Sequence, residues 1–219
     1  IEACANLLRE MMEEAGISAR VYPVEDGNPV VLGEVCGGGK ERGCIGFYNH
    51  YDVQPPEPLE LWESPPFEAA VRDGKIYARG ASDNKGSLIA RIEAVKAVRE
   101  VLGEVPINLK FMVEGEEEIG SPHLPNFVRK HAHLLKADGY VWEGDGVDEK
   151  DRPSVTLGAK GIIYVEFKVR GAGRDAHSSW APLIPNPAWR LVWALSTIKG
   201  PDEKIKIPGW YDDVVEPSE

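Results

Sequence analysis

The chain has 219 residues, enough for one large domain or two small ones around an apolar core. Its 42% hydrophobic and 28% charged content is that of a globular protein in water. Thirty-six acids against 25 bases leave a formal charge of −11, which argues against nucleic acid or an anionic membrane as partner, since both reward basic patches.

No run approaches about 18 apolar residues, so no membrane helix is expected. The first segment, IEACANLLREMMEEAG, carries acids inside its apolar pattern, which is not the pattern of a signal peptide. Ala5, Leu8, Met12 and Ala15 fall on one helical face, with Gly16 as the stop. The chain thus starts inside a helical pattern, without Met, and ends on WYDDVVEPSE after no closing element, so both ends are expected to be cut. Cys4, Cys36 and Cys44 are odd in number and form no CxxC pair, so buried reduced thiols in a cytoplasmic protein are expected.

ARVYPV and PVVLGEVC read as strands, and GGGKERG as the turn before a third, IGFYNHYDVQP. Residues 53–68 hold five prolines and form a long irregular loop. AAVRDGKIYAR is a hairpin across Asp73-Gly74. A helix follows over 86–101, with Leu88, Ile89, Ile92, Val95 and Ala97 among its apolar positions. PINLKFMVEG is the next strand, LPNFVRKHAHLL a helix and DGYVWEGDG a further strand. Strands that alternate with helices argue for an α/β sheet with crossovers. Past Gly158, KGIIYVEFKVRG alternates over Ile163, Val165, Phe167 and Val169, the pattern of a half-exposed antiparallel strand, and a helix follows over about 186–199. This change marks a second domain of α+β type.

Four clusters of acids or histidine fall where strands end or helices begin, the edge at which open α/β sheets bind ligands. His50 and Asp52 share a strand face, and a carboxylate behind a ligating histidine fixes its tautomer; a satisfied histidine at a strand end is the plainer alternative. Asp83 in RGASDNKGS is either part of a helix cap or a carboxylate pointed off the sheet edge to bridge two cations. Glu114, Glu116, Glu117 and Glu118 crowd five positions at the end of a buried strand, where like charges repel unless cations offset them; a solvated face is the alternative. Glu143 and Asp145 close YVWEGD. One histidine with several carboxylates is the ligand mix of a zinc or manganese site. His131 and His133 lie two apart on a helix and cannot pair as ligands, so they read as structural, and His123 reads as a loop residue.

NHYDVQP, RGASDNKG, EGEEEIGS and YVWEGD, in this order and spacing, resemble the co-catalytic two-metal exopeptidases and amidohydrolases. That family includes carnosinase, cytosolic dipeptidases, glutamate carboxypeptidase, aminoacylase and succinyl-diaminopimelate desuccinylase. The loop with LWESPPFEAAVRDGKIYARG looks most like the carnosinase and dipeptidase branch. The resemblance implies an α/β fold, a zinc-exopeptidase-like mixed sheet flanked by helices. Residues 1–158 would be the N-terminal portion of the catalytic domain, and 159–219 the incomplete start of a smaller α+β lid and dimerisation domain.

By position, the resemblance implies His50, Asp83, Glu118 and Asp145 as metal ligands, with Asp83 bridging and Glu143 a near rival of Asp145. It implies Asp52 behind His50, Glu117 as general base, and a cis peptide between Asp83 and Asn84. His177 in GRDAHSS would reach a partner subunit's active site in a homodimer and stabilise an oxyanion. Two divalent ions are implied, zinc first with manganese or cobalt as alternatives, and a peptide or acyl-amino acid substrate cleaved by an activated water. No histidine follows His177, so the family's last metal ligand has no counterpart and the chain alone is expected to be inactive. Two other readings stay open, a deacylase of N-acyl amino acids and a non-catalytic truncated paralogue. The intact His50, Asp83, Glu117, Glu118 and Asp145 count against the paralogue.

Overall fold

Helix α1 (Glu2–Glu14) buries Ala5, Leu8 and Met12, three residues of the predicted face, and Gly16 (φ +77°) ends it. The computed structural model describes residues 1–37, 42–144, 146–150, 152–154, 156 and 161–215. The chain divides into two units, Ile1–Thr156 and Leu157–Glu219.

The first unit is built on a five-stranded sheet. After α1 come β1 (Ser18–Val24), β2 (Gly27–Val35) and β3 (Cys44–His50). The small hairpin of β4 (Ala70–Arg72) and β5 (Lys75–Tyr77) stands apart. Then follow α2 (Gly86–Leu102), β6 (Asn108–Glu114), α3 (Leu124–Leu135) and β7 (Gly139–Val141). The sheet order is β1-β2-β6-β3-β7. β1, β2 and β6 pair antiparallel, while β6, β3 and β7 pair in parallel, so the sheet is mixed. The parallel pairs need crossovers, which α2 and α3 supply.

Side-chain alternation sorts the core onto both faces. Leu109, Phe111 and Val113 of β6 pack with Ala5, Leu8 and Met12 of α1 and Leu88, Ile92 and Val95 of α2. Met112 and Tyr48 point the other way and pack with Val30 and with Phe127 of α3. Gly46 is required by close approach, because a Cβ there would overlap the Tyr140 ring. This brings β7 against β3, and the strand ends of β3, β6 and β7 onto one edge.

The cysteine expectation is only half met. All three are free, but Cys36 is exposed, and Cys4 and Cys44 are only partly covered.

The second unit contains α4 (Pro187–Ile198), capped by Asn186, whose side chain accepts from Ala188 N at 2.9 Å. The strand predicted over 163–169 does not form: residues 161–172 make no ladder. Ile163 is 68% exposed, Val165 61%, Phe167 45% and Val169 38%. An alternating segment becomes a strand only when a neighbour takes its hydrogen bonds and covers its apolar face. Among the described residues of this unit none does.

Candidate metal centre

The strand edge gathers His50, Asp52, Asp83 and Glu117 of the predicted residues, with Glu143 beside them. β3 stays paired to β6 as far as His50–Glu114, and Tyr51 N donates to Glu114 O at 2.9 Å, so the histidine arrives beside the glutamate run. The turn Ala81–Lys85 before α2 breaks helical geometry at Asp83 (φ −117°, ψ 97°), and the Asp83–Asn84 peptide is cis.

His50 is fully buried, yet both ring nitrogens face carboxylates. Nδ1 lies 3.2 Å from the Asp52 backbone oxygen and 3.2 Å from its Oδ1. Nε2 lies 2.9 Å from Asp83 Oδ1, 3.1 Å from Glu143 Oε2 and 3.9 Å from Glu117 Oε2. Ionised carboxylates only accept, and a neutral imidazole has one N–H. Nε2 among three carboxylates must therefore carry a proton, or a cation must stand there. Glu143 Oε2 is buried, with His50 Nε2 as its polar neighbour at 3.1 Å. His50, Asp83 and Glu143 can each offer one ligand atom, all within 4.8 Å of one another. Imidazole with two carboxylates suits zinc or a similar ion, and these residues fit such a group.

Burial alone would lower the His50 pKa, but the carboxylates of Asp52, Glu143 and Asp83 push it up to about 11. For Asp52, burial works upward and is outweighed by His50 and by the backbone N–H of Glu118, so its carboxyl sits below the usual range. Asp52 accepts from Glu117 N at 3.3 Å and from Glu118 N at 3.0 Å. One carboxylate thus holds both the His50 ring and the Glu117–Ile119 turn. Burial, with Glu143 next, raises the Glu117 pKa.

The glutamate run divides into four roles. Glu114 is buried and accepts from Tyr48 Oη (2.6 Å) and Ser121 Oγ (2.8 Å); burial raises its pKa despite these donors. Glu116 is buried and accepts from Asn28 N (3.0 Å) and His123 Nδ1 (2.8 Å). Glu117 faces the cluster. Glu118 turns to Gln54, accepting from its backbone N at 3.2 Å and from Nε2 at 2.9 Å, and is outside the three-ligand group. Asp145 lies outside the described residues. His177 belongs to the second unit, where its Nδ1 accepts from Ser179 N at 3.2 Å. His131 packs on Tyr22 and Phe127, as a structural histidine would.

A family model described as peptidase family M20/M25/M40 matches residues 46–212, which contain this cluster. The chain belongs to that family. It is 36% identical over 190 residues to the human Beta-Ala-His dipeptidase, covering 85% of this chain and 37% of that protein. It is 35% identical over 197 residues to a Cys-Gly metallodipeptidase of Schizosaccharomyces pombe, covering 86% and 40%. Among solved structures, the M20 metallo-carboxypeptidase Sso-CP2 of Sulfolobus solfataricus superposes with a TM-score of 0.84 at 39% identity, over 100% of this chain and 49% of that one. The chain thus spans less than half the length of these M20 relatives. The mixed sheet flanked by helices is the M20 fold, as the motifs implied.

Sequence reasoning passed over Gln54, Asn49 and Arg91, and read His123 only as a loop residue and Asn84 only as part of a cis peptide. Arg91 did carry a signal: it lies one turn after Ser87 and one turn before the buried Val95, on the inward side of α2.

Proposed function

We propose that this chain supplies most of the catalytic domain of a metal-dependent hydrolase of dipeptides, and that His50, Asp83 and Glu143 hold one divalent ion. The carrying observation is the buried histidine whose Nε2 faces Asp83 at 2.9 Å and Glu143 at 3.1 Å, in a chain of the M20 family. We assign this ligand to Glu143, the rival of Asp145, supported by its buried Oε2 3.1 Å from His50 Nε2. Asp83, with a 72% exposed side chain, has room to serve a second ion with Glu118. Divalent ions supply Lewis-acid chemistry there, polarising a carbonyl and acidifying water, and zinc fits the ligand set with manganese or cobalt as alternatives.

Glu117 is placed to take the proton of the attacking water and give it to the leaving amine nitrogen. Asp52 fixes the His50 ring from behind, leaving Nε2 toward Asp83 and Glu143. The proposal extends to residues 159–219 as part of a dimerisation domain, with His177 stabilising the oxyanion in a partner's site. Three free cysteines are consistent with a cytoplasmic protein. No helix among the described residues is long and apolar enough to cross a membrane.

The names of the relatives make Beta-Ala-His and Cys-Gly the first substrates to try. The full-length protein loaded with zinc should cleave at least one of them, and lose this on chelation. Faster cleavage of N-acetyl amino acids would favour the deacylase reading, and no cleavage of either class by metal-loaded protein would contradict hydrolysis.

A further inference from the structure

We propose that Arg91 is a positioning residue that sets the spacing of the three-ligand cluster, a role that rests on the metal reading above. β3 and β7 pair at Ile45–Gly139, Gly46–Tyr140 and Phe47–Val141, and their ladder stops there. The next residues, Tyr48 and Trp142, stack with ring centroids 3.9 Å apart. Arg91 reaches from α2 across both backbones. Its Nη1 donates to Tyr48 O at 2.8 Å and its Nη2 to Trp142 O at 2.6 Å. The guanidinium takes the place of the next rung, just before the strands release their ligands.

The same group reaches the chain neighbour of every ligand. Trp142 precedes Glu143. Nη1 also donates to Asn49 Oδ1 at 2.5 Å, and Asn49 precedes His50. Asn49 Nδ2 in turn donates to Asn84 Oδ1 and to Ser87 Oγ (3.3 Å), and Asn84 follows Asp83. Asn84 Oδ1 also accepts from His50 N at 3.4 Å. Asn49 and Asn84 are 0% and 2% exposed, and a buried polar network with its bonds made holds a rigid geometry.

Arg91 is not a surface ion pair. Its three acceptors are two carbonyls and an amide, and the Glu143 carboxylate acts on it through space without a hydrogen bond. The planar fork of an arginine can bridge two backbones at once, whereas a lysine offers one point donor. Supporting groups of this kind hold ligands in place, and their loss commonly costs about 10- to 100-fold in metal affinity.

The test uses Co²⁺ binding to the full-length protein, read by affinity and by the visible d–d spectrum, alongside thermal melts without metal. The variants are Arg91→Met, Arg91→Lys and His50→Ala. Arg91→Met should weaken Co²⁺ binding about 10- to 100-fold and shift the d–d bands, and Arg91→Lys should recover only part of this. A lower melting temperature with unchanged affinity and spectrum would make Arg91 merely structural and overturn the proposal. If Arg91→Met does not fold, Arg91→Lys decides by the same spectrum. His50→Ala binding Co²⁺ as tightly as the unmodified protein would remove the metal centre itself, a failure distinct from that of Arg91.

Discussion

Loading the metal centre should displace close to one proton from His50. Without metal, its Nδ1 faces Asp52 and its Nε2 faces Asp83 and Glu143, and these carboxylates push its pKa up to about 11. Near neutral pH such a group leaves only a small fraction of molecules with a free Nε2 lone pair. A metal must bind that lone pair, so binding and deprotonation are one event. Two consequences follow from the sign. Affinity should rise about tenfold per pH unit from about pH 6 to 9, because binding consumes the deprotonated form. The metal-free fold should have this contribution in full below the ordinary histidine value of 6.5 and lose it as pH rises toward 11. Calorimetric titration with zinc in buffers of different ionisation enthalpy reads the proton count directly. A slope near one proton for this centre is expected. A slope near zero at neutral pH would refute the imidazolium.

Two substitutions separate chemistry from scaffold. Glu117→Gln should keep zinc and lose about 10²- to 10⁴-fold in turnover, read by dipeptide hydrolysis with metal content measured in parallel; a rate near that of the unmodified enzyme would move the base elsewhere. Glu116→Ala should cost about 1–3 kcal/mol in urea unfolding, because Asn28 N loses its acceptor and His123 its partner, and an unchanged midpoint would contradict the scaffold role.

The strands and helices of the first unit were legible because each carries its own period: Ala5, Leu8 and Met12 mark a helix face, and Leu109, Phe111 and Val113 alternate along a strand. The same rule misled at Ile163–Val169, since period two describes a strand's surface and cannot supply the neighbour that makes it one. At the site, His50, Asp52 and Asp83 were legible because strand ends and helix starts place them, and the M20 motifs ordered them. From its own residues the glutamate run was legible only as a charge cluster, and the resemblance alone singled out Glu117 and Glu118. Which of its members turn to Tyr48, Asn28 or Gln54 depends on β3, β2 and the proline loop, distant in sequence. The helix spacing put Arg91 on the inward side of α2, but its role was hidden for the same reason. Its meaning lies in two carbonyls on different strands, and carbonyls leave no mark in a sequence.

The most direct test of the metal centre is a zinc-edge anomalous difference map from crystals of the full-length protein grown with zinc. A peak bonded to His50 Nε2 and to carboxylate oxygens of Asp83 and Glu143 is the predicted result. A peak that Asp145 binds in place of Glu143, or no peak within reach of His50, would contradict it.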